Sequence, residues 1–196
     1  MGSAMEPSTD PRPDAGHPGP QPSSPSSPTS PSSLQIRLLG GVGATEAGQP
    51  IDVGPAKCQL VLAALALSPE AAVPVGRLVE LVWGDEPPRT AEKTLQSYTT
   101  QLRKALGADR VVRVGSAYRL DVEPEVVDAI RFDRLLTAGD RPGALDQWGG
   151  PPLAGLDPVG LAGPVAGLTE RWLGAVESEL EAAVERDPAA AVGRLT

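Results

Sequence analysis

A chain of 196 residues with 40% hydrophobic but only 3% aromatic residues suggests one or two domains with cores of Leu, Val and Ala. A single cysteine, Cys58, and a single histidine, His17, exclude an intrachain disulfide and a cysteine-based zinc cluster, and leave no basis for Ser–His–Asp or Cys–His catalysis. The net charge of −8 argues against a nucleic-acid binder until it is divided along the chain: residues 1–33 carry −2, 34–120 carry +2 and 121–196 carry −8, while 89–119 alone carry +5.

Residues 1–33 hold nine prolines and nine serines and read as a disordered tail, a passive solubiliser in the first reading, with phosphate acceptance at its clustered Ser/Thr-Pro sites as the alternative. No basic-then-apolar signal opens the chain, and no apolar run reaches the roughly 18 residues of a membrane span. The expectation is a cytoplasmic protein.

Leu34–Leu39 alternates like a strand, and Ile51–Val53 follows Gly48-Gln49-Pro50, so a small antiparallel sheet of short strands is expected. Pro55 opens a helix that runs to about Leu67. Pro74 precedes a second helix, with Val75, Leu78, Val79, Val82 and Trp83 on one face and Gly84 as its cap. The turn Asp85-Glu86-Pro87-Pro88 leads into a third helix that Gly107 closes.

That third helix has two chemically distinct faces. At about 100° per residue, Ala91, Leu95, Tyr98, Leu102, Ala105 and Leu106 fall together, opposite Lys93, Gln96, Ser97, Thr100, Arg103 and Lys104. The second face carries cations, amide and hydroxyls without a carboxylate, which is what phosphates and base edges require. Taken alone, it also fits an ordinary amphipathic helix with a solvated polar face. Val111–Val114, a Gly115-Ser116 turn and Tyr118–Leu120 then read as a hairpin. Sheet, three helices and hairpin make an α+β winged helix-turn-helix, with the third helix entering the major groove and the wing reaching the backbone or minor groove. Trp83 and Tyr98 read as core, and Cys58 as a helix residue without chemistry.

In the acidic half, helices are expected over Asp128–Leu136 and Leu161–Arg186, joined by an irregular glycine-rich link at 148–153. Trp148 and Trp172 are expected to pack this half. Asp187-Pro188 breaks the long helix and Ala189 starts another.

Residues 76–107, GRLVELVWGDEPPRTAEKTLQSYTTQLRKALG, resemble the DNA-binding region of the Streptomyces antibiotic regulatory protein (SARP/AfsR) family, of the OmpR-type winged-helix class. The Trp-Gly-Asp-Glu-Pro-Pro turn and the Leu-Gln-Ser-Tyr and Leu-Arg-Lys-Ala-Leu blocks carry the resemblance. Glu125–Phe132 resembles the start of the family's second domain, the bacterial transcriptional activation domain. Together these imply a disordered tail at 1–33, a winged-helix domain at 34–122 with a four-stranded N-terminal sheet, and at 123–196 the start of an all-α, tetratricopeptide-like stack. Because helical pairs need neighbours to bury their inner faces, the stack reads as truncated.

What the resemblance implies for function is a bacterial, nucleoid-associated activator. It would bind tandem promoter repeats in double-stranded DNA as side-by-side copies, a homodimer on DNA. It would then recruit RNA polymerase holoenzyme through its sigma factor and other subunits, at secondary-metabolite promoters. Matched residue by residue, major-groove positions fall on Lys93, Gln96, Ser97, Thr100 and Arg103, with Lys104 near phosphate. Arg113 and Arg119 fall on the wing, and Lys57 on a backbone-contact position. Ala117 and Val114 depart from the family pattern at the wing, where Gly and a cation are usual.

An enzyme is not expected. No P-loop is present, Gly40–Gly43 lacks dinucleotide-binding spacing, and the pair Glu177/Glu181 sits four apart on a solvated helix. No catalytic residue, cofactor or metal site is assigned. The alternative is a winged helix that binds polymerase or another protein without reading DNA.

Overall fold

Alternation and turn chemistry account for the first elements. In the computed structural model, which describes residues 34–186 together with Met1 and Gly2, strand β1 (Leu34–Arg37) buries Leu34 and Ile36 and exposes Gln35 and Arg37. Strands β2 (Gly43–Glu46) and β3 (Gln49–Ile51) complete an antiparallel sheet in the order β1-β2-β3. Ala47 and Gly48 join β2 to β3 with φ of 49° and 78°, the doubly left-handed turn that matches strand twist. The tail and the helix expected from Ala189 fall on residues 3–33 and 187–196, outside the described residues.

The N-terminal sheet has three strands among the described residues, not the four that the resemblance implies. The chain beyond β1 is engaged elsewhere. Leu38 and Leu39 donate their N–H groups to Asp128 at 2.7 and 3.0 Å, Leu153 donates to the Leu38 carbonyl at 2.9 Å, and Leu39 and Gly40 bridge to Pro152.

Helix α1 (Ala56–Ala66) starts after Pro55 and buries Cys58 and every residue from Leu60 to Ala66. A helix apolar nearly all round belongs at the centre of a core, and α1 packs against both later helices of the winged helix. Burial pushes the Cys58 thiol up to about 11, with Asp52 adding to the rise.

Strand β4 (Val73–Pro74) leads straight into α2 (Val75–Trp83), whose Leu78, Val79, Leu81 and Val82 face inward. Helix α3 (Ala91–Leu106) buries Ala91, Leu95, Thr99, Leu102 and Leu106. Tyr98, expected inward, is half-buried and stacks on the half-buried Trp83 at 6.3 Å between ring centres. Thr99 is buried instead, its hydroxyl donating to the Gln96 carbonyl at 3.0 Å. Strands β5 (Val111–Val114) and β6 (Ala117–Leu120) form the expected hairpin, and β4 adds to it in the order β4-β6-β5.

In the acidic half, α4 (Asp128–Thr137), α5 (Arg141–Leu145) and α6 (Ala162–Arg186) surround a ring stack in which Phe132 meets Trp148 at 5.5 Å and Trp148 meets Trp172 at 5.0 Å. The short α5 is capped by Asp140, which accepts from the Gly143 N–H at 3.0 Å.

The two halves share one interior. A single apolar cluster includes Leu34 and Ile36 of the sheet, Leu95 of α3, Phe132 of α4 and Leu168 of α6. Asp128, 5% exposed, joins them: its carboxylate also accepts from its own neighbour's N–H, Ala129, at 2.7 Å. Burial raises its pKa above the usual aspartate range, against the opposing pull of three N–H groups and Arg131.

Candidate nucleic-acid interface

The helix-turn-helix is positioned by its punctuation. Gly84 ends α2 with φ of 68°, a conformation that costs other residues strain, and donates to the Glu80 carbonyl at 2.8 Å. Residues 85–90 are exposed. Glu92 lies in the first turn of α3 and Arg103 and Lys104 in its last, each on the side the helix dipole favours.

With one face of α3 fixed in the core, Lys93, Gln96, Ser97, Thr100 and Lys104 are exposed on the other. Their spacing of three or four residues makes one continuous row. Two hydroxyls in it are oriented: Ser97 donates to the Lys93 carbonyl at 3.2 Å and Thr100 to the Gln96 carbonyl at 2.8 Å. With their protons committed, both present oxygen lone pairs outward, which suits donors such as adenine N6 or cytosine N4. Gln96 adds an amide that bonds both ways.

Arg103 is half-buried, and its Nε donates to the Val111 carbonyl at 2.6 Å. The side chain is therefore anchored across the α3–β5 junction, leaving its terminal nitrogens for a ligand.

Lys57 sits elsewhere. Its Nζ donates to the Val82 carbonyl at 2.6 Å and lies 5.9 Å from the Trp83 ring centre. It caps the C-terminal end of α2, where a cation also meets the helix dipole. A phosphate would have to compete with that bond.

The two wing arginines occupy opposite faces of the hairpin. Directly paired residues share a face: Arg113 pairs with Tyr118, and Arg119 with Val112. Arg113 is exposed, with its guanidinium 6.0 Å from the centre of the Tyr118 ring. Arg119 is ion-paired with Asp121 at 3.0 Å. At the tip, Gly115 with φ of 59° takes the first turn position, as glycine does in tight hairpins.

The basic character of 89–119 is thus smaller than its formal count. Arg110 grips Glu46 through two nitrogens at 2.6 and 3.1 Å and also bonds the Leu106 carbonyl. Lys93, Lys104, Arg113 and Arg89, which the residue-by-residue match leaves out, are the exposed cations of this stretch.

The family model described as "Transcriptional regulatory protein, C terminal" matches residues 48–119, the stretch from the β2–β3 turn to the wing. Regulatory protein DnrI of Streptomyces peucetius is 33% identical over 174 residues, 76% of this chain and 64% of DnrI. Regulatory protein AfsR of Streptomyces griseus is 30% identical over 116 residues, 56% of this chain and 12% of AfsR. Through these stretches the chain is similar to the SARP/AfsR transcriptional regulators. A solved structure of Mycobacterium tuberculosis EmbR in complex with a low-affinity phosphopeptide superposes on this chain with a TM-score of 0.63 at 26% identity, covering 80% of this chain and 51% of EmbR. The chain thus spans 64% or less of each of these relatives. Among the described residues no helix is long and apolar enough to cross a membrane, and no cluster of His, Cys, Asp and Glu is suited to a metal ion.

Proposed function

We propose that this chain is a sequence-specific DNA-binding transcriptional activator. The observation that carries the reading is the outward row of α3. Lys93 and Lys104 bracket Gln96, Ser97 and Thr100 on a helix whose opposite face is immobilised in the core. In a major groove the lysines meet phosphates and set register, while Gln96, Thr100 and the terminal nitrogens of Arg103 reach base edges. Arg113, on the wing face shared with Tyr118, follows the backbone. Arg119 and Lys57 have intramolecular partners and contribute to the fold first.

By likeness to the SARP/AfsR regulators, the proposed site is a tandem promoter repeat occupied by side-by-side copies, and the proposed output is recruitment of RNA polymerase holoenzyme, sigma factor included, at secondary-metabolite genes. The helical half fits the start of a stack of helical pairs offering further surface to polymerase. The same likeness favours a regulator in the cytoplasm rather than an enzyme.

The test is selection of bound duplexes from random DNA, then titration of the enriched sequence. Arg103→Ala is expected to cost about 1–3 kcal/mol in specific binding. Binding is also expected to weaken steeply between low and physiological salt as counterions are released. No enriched sequence, or Gln96→Ala and Arg103→Ala binding like the parent, overturns the reading. A winged helix that contacts only protein is the second reading. It draws on the internal engagement of Arg110 and Arg119, and it predicts polymerase capture without any salt-dependent duplex binding.

A further inference from the structure

The helical half touches the helix-turn-helix directly, at the end of α2. A single 3-10 turn, Val159–Leu161, lies against that helix. Leu161 is buried and anchors the turn, while Val159 is 63% exposed. Between them Gly160 meets the backbone of α2. A Cβ at Gly160 would collide with the Leu81 Cα and lie 2.6 Å from both the Glu80 and Leu81 carbonyl oxygens. These are main-chain atoms, so no side-chain rotation relieves the overlap. Beside it, a Cβ at Gly84 would lie 3.1 Å from Val159 Cγ1. Two glycines thus let the segment and the end of α2 approach at backbone distance.

That end of α2 is also where the helix is tied to α3. The Glu80 carbonyl accepts the Gly84 N–H that closes α2, the Val82 carbonyl accepts Lys57, and Trp83 stacks on Tyr98 of α3. A displacement of residues 80–84 is therefore passed to α3 through the Trp83–Tyr98 ring stack, and loosens the turn at 85–90 on the way.

We infer that Gly160 is a positioning residue for DNA recognition: its bare Cα seats the helical half on the α2 backbone and so fixes how α3 is presented. This rests on the DNA-binding reading above. The physical distinction is between the kinds of contact affected. Base contacts depend on the exact placement of Gln96, Thr100 and Arg103, whereas phosphate attraction depends mainly on charge. Moving α3 slightly costs specificity and leaves non-specific attraction intact.

The experiment compares the full chain with Gly160→Ala, with Gly174→Ala as a control because a Cβ there meets nothing within 4 Å. Affinity is measured for the selected duplex and for an unrelated duplex of equal length, with amide hydrogen exchange followed over residues 75–90. Gly160→Ala is expected to lose about tenfold on the selected duplex, the worth of one good base contact. It is expected to bind the unrelated duplex as the parent does and to exchange faster over 75–90; Gly174→Ala should match the parent throughout. Equal losses on both duplexes would mean that there is simply less folded protein, and would overturn the proposal. An unchanged preference for the selected duplex would overturn it too. If Gly160→Ala does not fold, Val159→Ala carries the same test, with a smaller loss in the same direction supporting the proposal and none refuting it. A parent chain with no preference for any duplex sinks the DNA reading instead, and exchange over 75–90 still decides whether Gly160 seats α2.

Discussion

Replacing Asp128 with alanine tests the joint between the two halves. Its carboxylate accepts from Leu38 and Leu39 at 2.7 and 3.0 Å and from Ala129 at 2.7 Å, at a site 5% exposed. Alanine leaves the two amides from the segment after β1 buried without acceptors, at about 1–3 kcal/mol each. Against this, a carboxylate whose burial is unfavourable disappears, which returns part of the loss. The net expectation is a destabilisation of about 2–4 kcal/mol, a large share of the roughly 5–15 kcal/mol typical of a folded chain. Urea unfolding at neutral pH, followed by far-ultraviolet circular dichroism, measures it. The pH dependence supplies an independent sign. Because the folded-state pKa is raised, the fold prefers the protonated acid. That contribution is complete below about pH 4, the unfolded-chain value, and is lost as pH rises through the folded pKa. The advantage of the parent over Asp128→Asn, which does not titrate, should therefore be larger in acid than at neutrality. A loss below about 0.5 kcal/mol, the level of an ordinary surface change, would refute the role of the joint. An advantage that grows with pH would refute the dominance of desolvation.

Gly54→Ala should destabilise by about 1–2 kcal/mol, since φ is +90° there and the new Cβ would run into the Gln101 amide; thermal melting checks this. Cys58, buried and with its thiol pushed up to about 11, should resist a thiol-specific chromogenic reagent at pH 8 and react once the chain is unfolded in urea. Lys104→Ala should reduce the salt slope of DNA binding by about one, whereas Arg119→Ala should leave it nearly unchanged because Asp121 already neutralises that charge. Equal slopes for the two variants would contradict the division of cations drawn from the wing geometry.

The helix-turn-helix was legible because its signals are local. Pro55, Pro74, Gly84, Gly107 and Gly115 mark the ends of elements, and the α3 periodicity separates its core from its outward row. Strand β4 was not legible, since two residues become a strand only through their partners Tyr118 and Ala117. Helix α5 had a usable signal, Asp140 ahead of Pro142, but at five residues it carries no periodicity. Within the site, the row from Lys93 to Lys104 follows from spacing alone, whereas the anchoring of Lys57 and Arg103 depends on carbonyls 25 and 8 residues away. Thr99 displaced Tyr98 from the centre because a small hydroxyl satisfied within its own turn fits where a phenol does not.

The apolar interior that runs from Leu34 to Leu168 has a practical corollary. The winged helix cannot be treated as a cassette. Cutting after the hairpin would strip Leu38 and Leu39 of their covering and bare Leu81, so chimeras that exchange the region beyond residue 122 inherit a mismatched seam rather than a neutral linker.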